Sequence, residues 1–139
     1  KVDGVVLTPL KQIYSQNGNV YHALKSSDPG FEGFGEAYFS TVKKGGIKGW
    51  KKHQKMILNI IVPVGEIKFV IYNEILKTFY SVCLSQKNYQ RLTIEKGLWL
   101  AFKGVGDDNM LMNLASIEHS PSESISVDIK DIDYEWTSL

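Results

Sequence analysis

The sequence predicts an all-β fold, in the form of an antiparallel sandwich, jelly roll or barrel. Short segments rich in Val, Ile, Tyr, Phe, Thr and Trp alternate apolar and polar residues, as half-buried strands do. Turn-forming residues separate these segments roughly every ten residues, which is typical of antiparallel all-β domains. No long segment has the periodicity of a helix. The chain has 139 residues, and we expect residues 1–139 to form a single domain.

The alternation predicts eight strands in order along the chain. They lie at residues 37–42, 47–53, 56–62, 66–72, 78–84, 91–94, 98–102 and 110–115. Turns rich in Gly, Pro, Ser and Asn separate them. Residues 121–124 break the chain, and acidic and apolar residues then alternate between Asp128 and Trp136. This final pattern predicts a short helix or turn, followed by an extended segment that lies on the barrel.

Composition and charge exclude several classes of function. The formal net charge is +1, so the protein as a whole does not attract nucleic acid, and we expect no nucleic-acid partner. No apolar segment approaches the ~18 residues of a membrane span, so we expect no membrane partner. The single cysteine, Cys83, cannot form a disulfide within the chain. This is consistent with the reducing cytoplasm, which is the expected location.

Positive charge concentrates in one predicted strand and the turn before it. Residues 43–55 contain six lysines and one histidine, whereas the whole chain has 16 Lys and Arg residues. Side chains alternate between the two faces of a strand. One face of this strand therefore carries Lys51, His53 and Lys55. The other face carries Lys48, Trp50 and Lys52.

Two interpretations of this basic strand remain open. Its lysines could bind a phosphate or a sugar diphosphate through charge-assisted hydrogen bonds, with a neutral His53 acting as a general base. Alternatively, the lysines lie on a solvated edge strand, where they prevent aggregation between sheets. Metal binding is not expected, because the three histidines have no metal-ligand spacing: His22, His53 and His119. We also expect no cofactor.

Four segments taken together resemble one enzyme family. Residues 40–51, Ser-Thr-Val-Lys-Lys-Gly-Gly-Ile-Lys-Gly-Trp-Lys, resemble the Ser-x-x-x-x-Gly-x-x-Arg-Gly-x-His segment of dTDP-4-dehydrorhamnose 3,5-epimerases. Residues 84–102 resemble that family's Leu-Ser-x-x-Asn-x-x-x-Leu-x-Ile-Pro-Pro-Gly-x-x-x-Gly-Phe segment. Residues 65–70 fit its Gly-Glu-Val-x-x-Val strand, and residues 125–136 look like its closing segment. The resemblance covers most of the chain after about Glu36.

This resemblance implies a cupin-type jelly roll, usually a homodimer, that acts on a nucleotide-linked 4-keto-6-deoxy sugar. The nucleotide is most simply dTDP, and the pathway is the synthesis of a surface polysaccharide such as lipopolysaccharide. The resemblance also implies a barrel without metal, because Leu100 stands where many cupins carry a histidine. The related 3,4-ketoisomerases carry Gly-Phe-His-x-His-Lys where residues 49–54 read Gly-Trp-Lys-Lys-His-Gln.

Several positions depart from the family's pattern. The general-base histidine of the epimerases falls on Lys51, and the nearest histidine is His53, two residues later. The arginine of the same motif is Lys48, which keeps the charge but loses the bidentate fork. No tyrosine lies near Leu111 or Met112, where the catalytic tyrosine should fall. The protein is therefore expected to be either an epimerase or isomerase, or a catalytically silent protein that binds a sugar nucleotide.

The resemblance and the basic strand together give the expected site. Epimerisation beside a C4 ketone needs a base, a group that stabilises the enolate, and an acid on the opposite face. The expected catalytic residues are His53, Lys51 and Asp128, the last at the position of the family's aspartate. The expected substrate contacts are Lys48, Lys55, Glu36, Ser40, Trp50 and Asn59. No opposite-face acid is identified, which favours an isomerase or a single epimerisation over a double one.

Overall fold

The computed structural model describes residues 3–137, in which two antiparallel sheets face each other. Within that range the strands are, in chain order, β1 (Val5–Pro9), β2 (Gln12–Ile13), β3 (Val20–Tyr21), β4 (Glu36–Lys43), β5 (Ile47–His53), β6 (Leu58–Val64), β7 (Glu66–Asn73), β8 (Thr78–Ser85), β9 (Gln90–Ile94), β10 (Trp99–Gly104), β11 (Asp108–Ala115) and β12 (Ser124–Ser126). A short 3₁₀ helix, Ile129–Asp131, follows β12. No helix in the described residues is long and apolar enough to cross a membrane.

The strand order gives the antiparallel jelly roll that the sequence predicts. The first sheet has the order β1-β9-β6-β11-β4, and the second has the order β12-β5-β10-β7-β8. Strands β2 and β3 form a separate two-stranded ribbon. The eight predicted strands are present as β4 to β11, with ends that differ by at most two residues. Strands β1, β2, β3 and β12 were not predicted.

The main core fills the space between the two sheets. Strands β6 and β7 contribute alternate residues to it: Leu58, Ile60, Val62, Ile67, Phe69 and Ile71. This alternation is what a strand with one buried face requires. Burial of each such side chain contributes ~1.5–3 kcal/mol. The core therefore holds the strands that carry the polar groups described below.

A second apolar cluster lies on the outer face of the second sheet, under the C-terminal segment. Its buried members are Trp50, Val70, Trp99 and Ala101. The segment after the 3₁₀ helix packs on them through Ile132, Tyr134 and Trp136. This confirms the predicted helix and extended segment. Strand β12 pairs with β5, so β5, although basic, is not a solvated edge.

A β-bulge at Trp50 changes which lysines face inward. On β10, Phe102 pairs with Lys48 and Leu100 pairs with Lys51, so two residues of β5 lie opposite a single residue. The extra residue, Trp50, is fully buried on the outer face, where its indole Nε1 donates to the Ile129 carbonyl. Strict alternation had placed Lys48 on the face opposite to Lys51. Because of the bulge, Lys48 and Lys51 both face the interior of the barrel, together with His53.

Candidate active site

A cavity of about 390 Å³ lies between the two sheets. Its apolar lining comes from Met56, Leu58, Ile60, Leu100 and Leu111. Polar side chains from β4, β5 and the segment after β11 line the remainder. The volume falls in the ~300–1,000 Å³ range of small-molecule sites, which typically combine an apolar lining with a few convergent polar groups. The cavity is therefore the candidate active site.

His53, the last residue of β5, lines this cavity and is paired with a buried carboxylate. Its Nδ1 lies 2.7 Å from Oε1 of Glu123. The second carboxylate oxygen, Oε2, accepts hydrogen bonds from the backbone amides of Lys55 and Met56, at 3.0 and 2.9 Å. The Glu123 side chain is only 3% exposed. Three donors on two oxygens compensate the burial of this charge.

The surroundings of Glu123 determine the tautomer of His53. Burial opposes ionisation of Glu123, but the hydrogen bonds from His53 and from the two backbone amides outweigh it, so the pKa of Glu123 lies below its ordinary value of 4.5. An ionised carboxylate can only accept hydrogen bonds. The network therefore assigns the proton to Nδ1 of His53 and leaves Nε2 as the free nitrogen. A neutral histidine with a free Nε2 can act as a general base.

Two lysines line the cavity on the same strand as His53. Lys51 lies two residues before the histidine, and the bulge brings Lys48 to the same side. The Nζ atom of Lys48 donates to Ser40 Oγ at 2.9 Å and to the Thr41 carbonyl at 3.1 Å. These bonds fix the Lys48 ammonium against β4. Two ammonium groups give this wall of the cavity a positive charge that suits a phosphate group.

A tyrosine faces the cavity from the first sheet. Tyr38 lies on β4, directly opposite Asn113 of β11. Asn113 Oδ1 accepts a hydrogen bond from the Asn59 backbone amide at 3.1 Å, and its Nδ2 donates to the Tyr38 hydroxyl oxygen at 3.1 Å. Because the oxygen accepts this bond, the hydroxyl proton of Tyr38 is left to donate to another group.

Glu36 and His119 also line the cavity. Glu36 begins β4, and its Oε1 accepts a hydrogen bond from the backbone amide of His119 at 3.0 Å. His119 belongs to the segment at residues 116–123, between β11 and β12. The same segment carries Glu123. It therefore supplies both the partner of His53 and a second histidine.

Known structures similar to this one identify the family. No family model and no curated protein matches the chain. A dTDP sugar isomerase from Desulfovibrio desulfuricans G20 is 33% identical and has a TM-score of 0.92, over 99% of this chain and 94% of that chain. The chain belongs to the dTDP-sugar isomerase and epimerase family. The family and the cupin jelly roll expected from the sequence are thus confirmed.

More distant structures share the family fold. A double mutant of a 3′-monoepimerase from Streptomyces bikiniensis, solved in complex with dTDP, has a TM-score of 0.85 at 15% identity, over 97% of this chain and 75% of that chain. A variant of the 3,4-ketoisomerase from Thermoanaerobacterium thermosaccharolyticum was solved in complex with TDP-4-keto-6-deoxyglucose. It has a TM-score of 0.78 at 21% identity, over 90% of this chain and 88% of that chain. At these identities the similarity establishes the fold alone.

Against this family background, five of the predicted site residues line the cavity: Glu36, Ser40, Lys48, Lys51 and His53. Lys55 does not, because β5 ends at His53 and the alternation ends with it. Trp50 is buried on the outer face of the second sheet. The structure therefore corrects the predicted row of Lys51, His53 and Lys55, which becomes Lys48, Lys51 and His53.

Two further predicted residues lie outside the cavity. Asn59 is buried on the outer side of β6, where its Nδ2 donates to the Gly30 carbonyl and its Oδ1 accepts from Thr93 Oγ1. Asp128 is exposed before the 3₁₀ helix, and its backbone amide bonds to Asp131. The carboxylate that contacts His53 is instead Glu123.

Tyr38 and His119, which line the cavity, were missed from the sequence, and so was Glu123, the buried partner of His53. Tyr38 could have been recognised, because it lies two residues before Ser40 on a predicted strand, and alternation places both side chains on the same face. Little in the sequence indicates Glu123, since it lies in a Pro-Ser-Glu-Ser turn and is 70 positions away from His53 in the chain. His119 was judged only by its distance in sequence from the other histidines, which the fold makes irrelevant.

Proposed function

We propose that this protein is an isomerase, as an epimerase or ketoisomerase, that enolises a dTDP-linked 4-keto-6-deoxy sugar in the synthesis of a surface polysaccharide. The observation that carries this proposal is His53, held by the buried Glu123 in a cavity that also contains two lysines. The D. desulfuricans relative is a dTDP sugar isomerase, and one distant relative was solved with TDP-4-keto-6-deoxyglucose. Both support the proposed substrate class.

In the proposed reaction His53 is the base. A hydrogen on the carbon next to the C4 ketone is acidic, because the carbonyl accepts the electron pair that the proton leaves behind. Nε2 of His53 takes the proton from C3, the C–H electron pair forms a C3–C4 double bond, and the carbonyl oxygen becomes an enolate. Glu123 stabilises the resulting imidazolium. The neighbouring Lys51 ammonium stabilises the enolate oxygen.

Tyr38 is the proposed proton donor on the opposite side. It projects from the first sheet, whereas His53 projects from the second, so a sugar bound in the cavity has one group on each side. A proton given to C3 by Tyr38 yields the C3 epimer. A proton given to the enolate oxygen yields the enediol. The C3 hydroxyl then loses its proton while C4 takes one up, and the keto group has moved to C3. Each outcome needs only one deprotonation at carbon.

Solvent exchange tests this proposal. The wild-type protein is incubated with dTDP-4-keto-6-deoxyglucose in deuterated buffer, and the sugar is followed by proton NMR. We expect deuterium at C3 or C5 with the wild type, and exchange slowed by about 10²–10⁴-fold in His53→Asn, as for removal of a general base. Unchanged exchange in His53→Asn would transfer the role of base to Lys51. Saturable binding without any exchange would refute catalysis on this sugar.

A catalytically silent sugar-nucleotide-binding protein is the second candidate. It is favoured by Lys51 at the position of the family's base, and by the absence of a tyrosine near Leu111. The His53–Glu123 pair argues against it, because this pair holds a cavity histidine in the tautomer that a general base needs. The exchange experiment separates the two candidates directly.

The protein is also proposed to be a homodimer. Strand β4 forms an edge of the first sheet. Two aromatic side chains, Phe39 on β4 and Phe34 just before it, are 63% and 65% exposed. Exposed aromatic side chains beside a sheet edge are typical of an interface. Light scattering should give twice the monomer mass of 15.7 kDa, and Phe39→Glu should shift the protein towards the monomer.

A further inference from the structure

The two ends of the cavity carry opposite charges. Lys48 is bonded to Ser40 on β4, and Glu36 lies four residues earlier on the same strand. At ~3.3 Å per residue of extended chain, four residues span about 13 Å. His53 ends β5, and the chain passes from β4 to β5 at residues 44–46, so His53 lies at the same end as Glu36. One end of the cavity therefore has the Lys48 ammonium, the end with the proposed base has the Glu36 carboxylate, and Lys51 lies between them on β5.

Glu36 and His119 are held at that end by a bond that leaves their functional groups available. The bond runs from the His119 backbone amide to Glu36 Oε1, so it uses neither the imidazole nor Oε2. The segment is fixed on both sides of His119. Ser116 Oγ accepts from the Ile57 amide at 2.8 Å, and Glu123 holds the His53 side chain and two amides. Among the described residues, the His119 imidazole has no hydrogen-bond partner.

The chemistry of the pair defines what it can bind. An ionised carboxylate only accepts hydrogen bonds, and it repels a diphosphate. It cannot pair with a ketone oxygen, which is also an acceptor. A hydroxyl group satisfies Glu36 as a donor, and a neutral histidine can donate to or accept from a second hydroxyl. Sugar ring hydroxyls meet both requirements, and among the donors of a nucleotide sugar they are the ones next to the reacting carbon, which lies at the end of the cavity that holds His53.

We propose that Glu36 and His119 bind the ring hydroxyls of the sugar and so orient the substrate, with the diphosphate at the Lys48 end and the reacting carbon beside His53. This inference rests on the proposed substrate class. With this assignment, Glu36 and His119 are the residues that distinguish a nucleotide sugar from the free nucleotide. A site built to hydrogen-bond a hydroxyl rejects ligands that lack it, because its polar groups are then left unpaired.

Two ligands that cannot be enolised test this assignment. They are dTDP and dTDP-quinovose, which has a hydroxyl at C4 in place of the ketone. Calorimetry measures both dissociation constants for the wild type, Glu36→Gln and His119→Ala. The glutamine oxygen can still accept the His119 amide, and His119→Ala keeps that backbone bond, so both variants should fold. Lys48→Met serves as the comparison at the cationic end, and Glu118→Gln, on an exposed carboxylate of the same segment, is the matched control.

We expect each of the first two variants to weaken dTDP-quinovose binding about tenfold or more, with dTDP binding changed less than twofold. Lys48→Met should weaken both ligands equally, and Glu118→Gln neither. Equal weakening of both ligands by Glu36→Gln or His119→Ala, or no change in either, would overturn the assignment. If the wild type binds neither ligand, the proposed function fails as well. If the variants behave as expected but no deuterium exchange occurs, catalysis fails and the assignment stands.

Discussion

Replacing Glu123 by glutamine should move the proton of His53 to the wrong nitrogen. In the wild type, Oε1 faces His53 Nδ1 and Oε2 accepts the amides of Lys55 and Met56. A glutamine has only one oxygen for these two positions. Two buried amides require an acceptor, so the glutamine oxygen should face them and its NH₂ group should face Nδ1. His53 must then accept at Nδ1 and carry its proton on Nε2, where it can no longer act as a base.

The size of the effect follows from this geometry. Loss of a general base typically slows a reaction by about 10²–10⁴-fold, and we expect the deuterium exchange rate of Glu123→Gln to fall in that range. Stability should fall only modestly. Three charged hydrogen bonds of ~1.5–3 kcal/mol each become neutral ones of ~0.5–1.5 kcal/mol, and removal of the buried charge offsets part of this loss. Glu123→Ala should be far less stable than Glu123→Gln. It leaves two amides and an imidazole without partners, at ~1–3 kcal/mol for each group that stays buried.

Three measurements on Glu123→Gln test whether His53 is the base and which of its nitrogens carries the proton. Proton NMR gives the exchange rate, urea unfolding gives the free energy of unfolding, and nitrogen NMR of the imidazole reports which nitrogen carries the proton. Glu118→Gln removes an exposed carboxylate from the same segment and should match the wild type in all three. If Glu123→Gln exchanges at the wild-type rate while Nε2 is protonated, His53 is not the base.

Further predictions concern the cavity lysine, the opposite-side tyrosine and acid pH. Lys51→Met should slow exchange by about 10²–10³-fold, as for loss of an enolate-stabilising group, whereas Lys52→Met, on the outer face, should change the exchange rate less than twofold. Tyr38→Phe should lower product formation about 10²-fold or more while exchange at carbon persists, as NMR of both processes can show; equal losses in both would contradict its role as donor. Glu123 has a lowered pKa in the folded state, so the unfolded chain binds its proton first as the pH falls below about 4.5. The wild type should therefore lose stability in acid more steeply than Glu123→Gln, as urea unfolding from pH 6 to pH 3 can measure.

The strands were predictable because their signal is local. Alternation of apolar and polar residues identified β5 with both of its ends, since a half-buried strand shows its buried face in its own sequence. Strand β12 has only three residues and forms because β5 offers an edge to pair with. A strand that depends on its partner in this way has no pattern of its own to recognise.

The face occupied by Lys48 could not be deduced from alternation alone. A single extra residue in β5 reverses the orientation of every side chain on one side of it. The sequence does contain a hint, because Gly49 precedes Trp50 in the middle of a strand, and a glycine there often marks a bulge. What decides the bulge is the apolar cluster outside the barrel, which buries Trp50 against Trp136 with ring centres 5.9 Å apart. That cluster depends on a segment more than 70 positions away in the chain.

The residues that follow this bulge on β5 are relevant to whether the protein is an enzyme. Beyond it, the inward positions of β5 are Lys51 and His53, so a histidine displaced by two residues from the family's position still faces the cavity. Its carboxylate partner is Glu123, whereas Asp128 was the aspartate expected from the sequence. The two groups lie 2.7 Å apart. A buried, ionised carboxylate is costly unless it is fully hydrogen-bonded, and here its hydrogen bonds hold His53 in the tautomer that a general base needs. The lysine at the family's histidine position is therefore weak grounds for regarding the protein as inactive.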